Sequence, residues 1–199
     1  MPTLKVLGIS GSLRRDSYNR KALQIAKRFA AEAGAEVAET DLKELALPIY
    51  DGDIEAQGLP ESVLRLKAAV EAADALLIAS PEYNHSISGA LKNAIDWLSR
   101  QKNSLDGKVA AVFGASTGIF GTARGQYHLR QTLASLNVLV IPQPQVYLGT
   151  AADAFDADGS FKNPKTAELL KRLVERALKV AGELLGAPQS LDHFSPRIR

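Results

Sequence analysis

Apolar runs of strand length alternate with apolar stripes of helical period along almost the whole chain. The runs fall at residues 4–10, 36–42 (the weakest), 75–80, 109–114 and 138–141. Several are nearly continuous in apolar residues, as strands buried on both faces are. Between them, Ala22, Ala26, Phe29, Ala30 and Ala33 form one stripe. Val63, Leu66, Val70 and Ala73 form a second, and Ile87, Ala90, Leu91, Ala94, Ile95 and Leu98 a third. Residues 123–136 make a less cleanly striped helix, and Leu170, Leu173, Val174, Ala177, Val180, Ala181 and Leu184 mark the last. Strand and helix in strict alternation predict an α/β fold, a parallel sheet with helices on both faces. Right-handed crossovers leave few ways to wind it.

The chain has 199 residues, enough for one domain with a substantial core. We read residues 1–186 as that domain and 187–199 as a tail with no helical stripe. Net charge is only +2, so the molecule as a whole is no polyanion binder, and nucleic acid is not an expected partner. There are no cysteines, which excludes disulfides, thiolate ligands and a cysteine nucleophile. His85, His128 and His193 are too scattered for a metal site. No run reaches membrane-spanning length, and the N-terminus enters a strand without the pattern of a signal peptide. A cytoplasmic protein with no membrane partner is the expectation.

Ligands of such sheets sit beyond the carboxyl ends of the strands, which singles out the loops after Ser10, Ser80 and Gly114. The first reads GISGSLRRDSYN from Gly8. Gly8 and Gly11 permit a tight turn and close approach. Ser10, Ser12 and Ser17 offer hydroxyls, and Ser17 or Asp16 would cap the helix that follows. The N-terminus of that helix adds unpaired N–H groups and a positive dipole end. Arg14 adds a bidentate cation. These features describe a phosphate cradle. It is no P-loop, having no lysine, and no dinucleotide fingerprint, since the glycines stop at Gly11. A single terminal phosphate suits it. Five strands with an anion loop after the first predict the flavodoxin-like order 2-1-3-4-5.

The second loop, SPEYNHSISGALKNAIDWLSR from Ser80, offers the rigid Pro81, the flat face of Tyr83 and the amide of Asn84. Ser86 or Ser88 would cap its helix. A planar heterocycle fits such a place. The third, GASTGIFGTARG, has four glycines that let backbone lie against a flat ligand. It also matches G-x-S-x-G, the nucleophile elbow of serine hydrolases. Ser116, with Asp153, Asp156 or Asp158 and then His193, would give the order Ser, acid, His. That alternative leaves the Ser/Arg loop and PEYN unexplained.

GSLRRDSYN, PEYNHSISGALKNAIDWLSR and GTARGQYHLRQ resemble the NAD(P)H-dependent FMN reductase family, and within it the soluble bacterial quinone and chromate reductases. The resemblance implies a flavodoxin-like domain carrying FMN and using NADPH or NADH. It implies that Ser10, Ser12, Arg14, Ser17 and Asn19 hold the phosphate. Pro81, Glu82, Tyr83 and Asn84 would line the isoalloxazine, largely by backbone groups, and Ser116, Thr117 and Gly118 would approach its other edge. It implies a homodimer or dimer of dimers (a homotetramer), with Trp97, Arg100, Tyr127 and His128 in interface-like segments. Hydride passes through the flavin itself, so no catalytic side chain is expected. The acceptors would be small molecules: quinones, free flavins, azo dyes or chromate. A pure FMN electron carrier is the alternative, though carriers of this fold are typically acidic and this chain is not.

Overall fold

The structure is a computed structural model that describes residues 3–186. The tail expected at 187–199 lies outside the described residues, as does His193. One or more helices separate successive strands among the first five of the main sheet. The strands β1 (Lys5–Ser10), β2 (Glu36–Thr40), β3 (Ala75–Ala79) and β6 (Val109–Ala115) form the sheet with two short strands, β7 (Leu139–Val140) and β8 (Val146–Leu148). Its order is β2-β1-β3-β6-β7, with β8 also paired to β6, and every pairing is parallel.

That is the expected winding with one difference: two strands share the fifth position. Pro142 and Pro144 interrupt it. Proline has no N–H for a ladder, so the strand breaks there and resumes on the end of β6, where Phe113, Gly114 and Ala115 pair with Val146, Tyr147 and Leu148. The second strand also stops earlier than its apolar pattern suggested. Asp41 leaves the sheet to cap the short helix α2 (Leu42–Leu45), accepting from the Lys43 N–H at 2.8 Å.

Alternate residues of each strand serve opposite faces. Val6, Leu77 and Phe113 pack under α1 (Tyr18–Glu32) and α7 (Pro164–Gly186). Leu7, Ile9, Leu76, Ile78 and Val112 pack under α4 (Glu61–Glu71), α5 (Gly89–Leu98) and α6 (Ala123–Ala134). Leu23, Leu66, Leu91 and Leu129 are almost wholly buried. Burial of such a side chain contributes about 1.5–3 kcal/mol. With the helices anchored on both faces, the loops at the carboxyl edge have fixed ends.

The connection at 46–58 contains one helical turn, α3 (Gly52–Ala56), capped by the Asp51 side chain on the Asp53 N–H at 2.8 Å. The loop is pinned from α5. Asn93 donates to the Pro48 carbonyl at 2.9 Å and accepts from the Tyr50 N–H at 2.8 Å, and Trp97 Nε1 donates to Pro48 at 2.8 Å.

Candidate functional site

The loops after β1, β3 and β6 meet at one edge of the sheet, because these three strands are neighbours. In the first loop, Ser10 Oγ accepts from the Ser12 N–H at 3.3 Å, and Ser17 is the N-cap of α1, accepting from the Asn19 N–H at 3.1 Å. Both hydroxyls thus keep their O–H hydrogens for another acceptor. Ser10, Ser12 and Ser17 are buried. Arg14 and Arg15 are exposed and enter no ion pair among the described residues. The loop's third guanidinium-bearing neighbour, Arg20, is engaged: it forks onto both Asp41 carboxylate oxygens at 2.7 Å and reaches toward the Ser12 carbonyl at 3.5 Å. Burial would raise the Asp41 carboxyl, but Arg20 and the N–H groups of Lys43 and Glu44 outweigh it and hold it below the usual aspartate range.

The glycines of this loop serve packing. Gly8 lies within β1, where a Cβ would meet Leu23 Cδ1 at 3.2 Å. A Cβ on Gly11 would meet Pro81 Cδ and Leu91 Cβ, each at 3.1 Å. Gly8 lets α1 approach the sheet, and Gly11 lets the first loop lie against the second.

The second loop is a small hairpin, β4 (Glu82–Tyr83) against β5 (Ser86–Ile87), turned through Asn84 and His85 with φ of 50° and 66°. Positive φ at both central residues is the tight hairpin geometry that asparagine tolerates. Ser88, not Ser86, caps α5: its Oγ accepts from the Leu91 N–H at 3.2 Å and donates to the Gly11 carbonyl at 2.6 Å. Ser86 instead meets His128 Nδ1 at 3.1 Å. Tyr83 is exposed. Glu82 turns its buried carboxylate away from the mouth, onto the Gly125 N–H at 2.8 Å, with Arg124 at 3.9 Å. It thereby caps α6, whose own N-cap Thr122 makes no side-chain capping bond.

The third loop runs from Ser116 to Thr122. Ser116 Oγ accepts from the Gly118 N–H at 3.2 Å, and the loop is anchored to the following strand by the Ser116 N–H on the Leu148 carbonyl at 2.9 Å. Thr117 and Gly118 are exposed. Asn19 reaches this loop from α1, bonding both N–H and C=O of Ala115 at 2.9 Å. The serine-hydrolase alternative fails here. A nucleophile elbow passes directly from strand to helix, whereas β6 ends at Ala115 and α6 begins at Ala123. Asp158 is held by Ser160 at 2.7 Å.

Residues 4–153 match the family model for NADPH-dependent FMN reductases. The chain belongs to that family. It is 48% identical over 173 residues to an NAD(P)H-dependent FMN reductase of Pseudomonas aeruginosa, covering 86% of this chain and 92% of the relative. It is 37% identical over 170 residues to a quinone reductase of Escherichia coli, with 84% and 85% covered. A solved structure, the flavoenzyme NAD(P)H:(acceptor) oxidoreductase of Paracoccus denitrificans, superposes with a TM-score of 0.81 at 38% identity, over 91% of this chain and 98% of that one.

In this FMN reductase family member, two of the residues expected at a subunit interface have other work. Trp97 is fully buried and bonded to Pro48 within the chain, with Tyr50 packed edge-on at 5.0 Å. Arg100 lies over the Tyr50 ring at 4.9 Å and bonds Ser99 Oγ at 3.0 Å. Trp97 is therefore a core residue, a correction to the interface expectation, and Arg100 braces the loop at 46–58. Tyr127 and His128 are exposed. The cap at Ser88 is one of the two serines expected there, whereas the strut roles of Glu82, Asn93 and Arg20 are not among the expectations. Ser88 has a local signal, a serine ahead of a helical stripe; the other three have none.

Proposed function

We propose that this protein is an FMN-dependent oxidoreductase that takes hydride from NADPH or NADH and passes electrons to quinones and other small acceptors, with free flavins, azo dyes and chromate in the same range. The observation that carries this reading is the convergence at one sheet edge of a serine-lined helix N-terminus, two exposed arginines and two loops held by buried struts.

The donor set fits a flavin mononucleotide. Ser10, Ser12 and Ser17 present hydroxyls, Arg14 presents an exposed cation, and the start of α1 presents its dipole, together suited to a phosphate dianion. Asn19 serves this seat indirectly, through Ala115. Pro81, Glu82, Tyr83 and Asn84 line the ring by backbone and by the tyrosine face, since the Glu82 carboxylate is committed to α6. Ser116, Thr117 and Gly118 close the other edge. FMN, when bound, supplies the hydride chemistry. The chain's part is to hold the ring, to leave one face open to nicotinamide and acceptor in turn, and to aim backbone N–H groups where negative charge develops.

Leu13, Tyr83, Ile119, Phe120 and Tyr127 leave large apolar surface exposed around the mouth. That rim supports a homodimer or dimer of dimers with the site near the subunit boundary. The test is NADPH and NADH oxidation by FMN-loaded protein against a quinone panel. Multiple turnover is expected. A protein that keeps its flavin but turns over little would be an electron carrier, and the enzyme reading would be lost.

A further inference from the structure

Asn19 is the second residue of α1 and only 4% exposed. Its side-chain amide is used at both ends. Nδ2 donates to the Ala115 carbonyl and Oδ1 accepts from the Ala115 N–H, each at 2.9 Å. One strand residue offers its neighbour the same donor and acceptor, so the amide adds a rung to β6 where the third loop leaves the sheet. The Asn19 backbone N–H is in turn fixed by Ser17 Oγ at 3.1 Å. Among the described residues, no other side-chain hydrogen bond joins α1 to residues 115–118. One residue thus belongs both to the phosphate seat and to the root of the ring-side loop.

We infer that Asn19 is a positioning residue that locks the ring-side loop to the phosphate seat, so that the two ends of the flavin site are set at a fixed separation before any flavin arrives. This rests on the flavin reading above. The residue type follows from the chemistry. Alanine would leave a buried N–H and C=O of Ala115 unpaired. Aspartate matches the N–H but sets a second acceptor against the carbonyl. Without the lock, the ring-side loop samples other positions, and binding must order it again.

Riboflavin, which has the ring but no phosphate, separates this role from a direct phosphate contact. The full chain, freed of flavin, is titrated with FMN and with riboflavin by fluorescence, for the parent protein and for Asn19→Ala, Asn19→Asp and Arg14→Ala. Both Asn19 variants weaken both flavins, by about tenfold, and leave the FMN-to-riboflavin ratio unchanged. Arg14→Ala weakens FMN alone. Hydrogen exchange supplies a readout independent of flavin: the Ala115 and Gly118 amides exchange about tenfold faster in Asn19→Ala, while those of β3 do not change. Should Asn19→Ala fail to fold, Asn19→Asp, of equal size, carries the comparison. A loss confined to FMN, or unaltered exchange at Ala115, overturns the inference. If the parent protein binds neither flavin, the flavin reading fails, and the exchange experiment still decides the role of Asn19.

Discussion

Ser88 and Ser12 are both buried serines of the site, yet the structure gives them opposite roles, and a pair of alanine variants separates them. Ser88 Oγ caps α5 and also donates to the Gly11 carbonyl at 2.6 Å. Ser88→Ala removes an N-cap, which costs about 1 kcal/mol. It also leaves a carbonyl of the first loop unpaired, which costs a further 1–3 kcal/mol or so. The sum, about 2–4 kcal/mol, corresponds to a fall in melting temperature of roughly 5–15 °C for a chain of this size. The Ser12 hydroxyl has no such duty: within its loop the Ser12 N–H, not its side chain, makes the bond to Ser10. Ser12→Ala should hold the stability of the flavin-free protein within about 0.5–1 kcal/mol while weakening FMN. Urea unfolding of the flavin-free chain, beside FMN titration of the same samples, reads both. Flavin must be absent in the unfolding arm, because a bound ligand adds its own stabilisation. A stable Ser88→Ala with an unstable Ser12→Ala would refute the division between strut and ligand donor.

Arg14→Ala should weaken FMN by about 1.5–3 kcal/mol, the range for a hydrogen bond to a charged group, with little change in flavin-free stability. Equilibrium titration checks both, and unchanged affinity removes Arg14 from the seat. Gly114→Ala should prevent assembly of the site, since a Cβ there would overlap the Ser80 carbonyl oxygen and crowd Thr122. Loss of soluble or flavin-binding protein is expected, and a normal holoprotein would contradict the packing described. Asp41 predicts an acid limb. Its folded-state value is depressed, so its contribution is whole above the ordinary aspartate value of about 3.9 and drains away as pH falls below it. Asp41→Asn should flatten that limb of a stability–pH curve, and an unchanged slope would show that the Arg20 pairing does not matter.

The sheet was legible because its signal is local. The runs that became β1, β3 and β6 needed only their own apolar residues, and the helices their own stripes. Residues 142–148 were not, since Val146–Leu148 follow two prolines and pair only because the end of β6 is free to receive them. The same distinction separates the site residues. Ser10, Ser12, Ser17 and Arg14 announce an anion seat by standing together before a helix. What Glu82 and Asn19 do is set by partners 43 and 96 residues away in sequence, and a carboxylate beside a tyrosine says nothing of a helix N-terminus that far along the chain. Trp97 misled for the same reason: its partner, the Pro48 carbonyl, lies 49 residues earlier.

The most direct test loads the protein with FMN, passes it through a desalting column, and adds NADPH without oxygen while the visible absorption of the oxidised flavin is followed. The protein should stay yellow, bleach on NADPH and recover its colour when a quinone is added. Colourless protein after the column, or bound flavin that NADPH and NADH both leave oxidised, would contradict it.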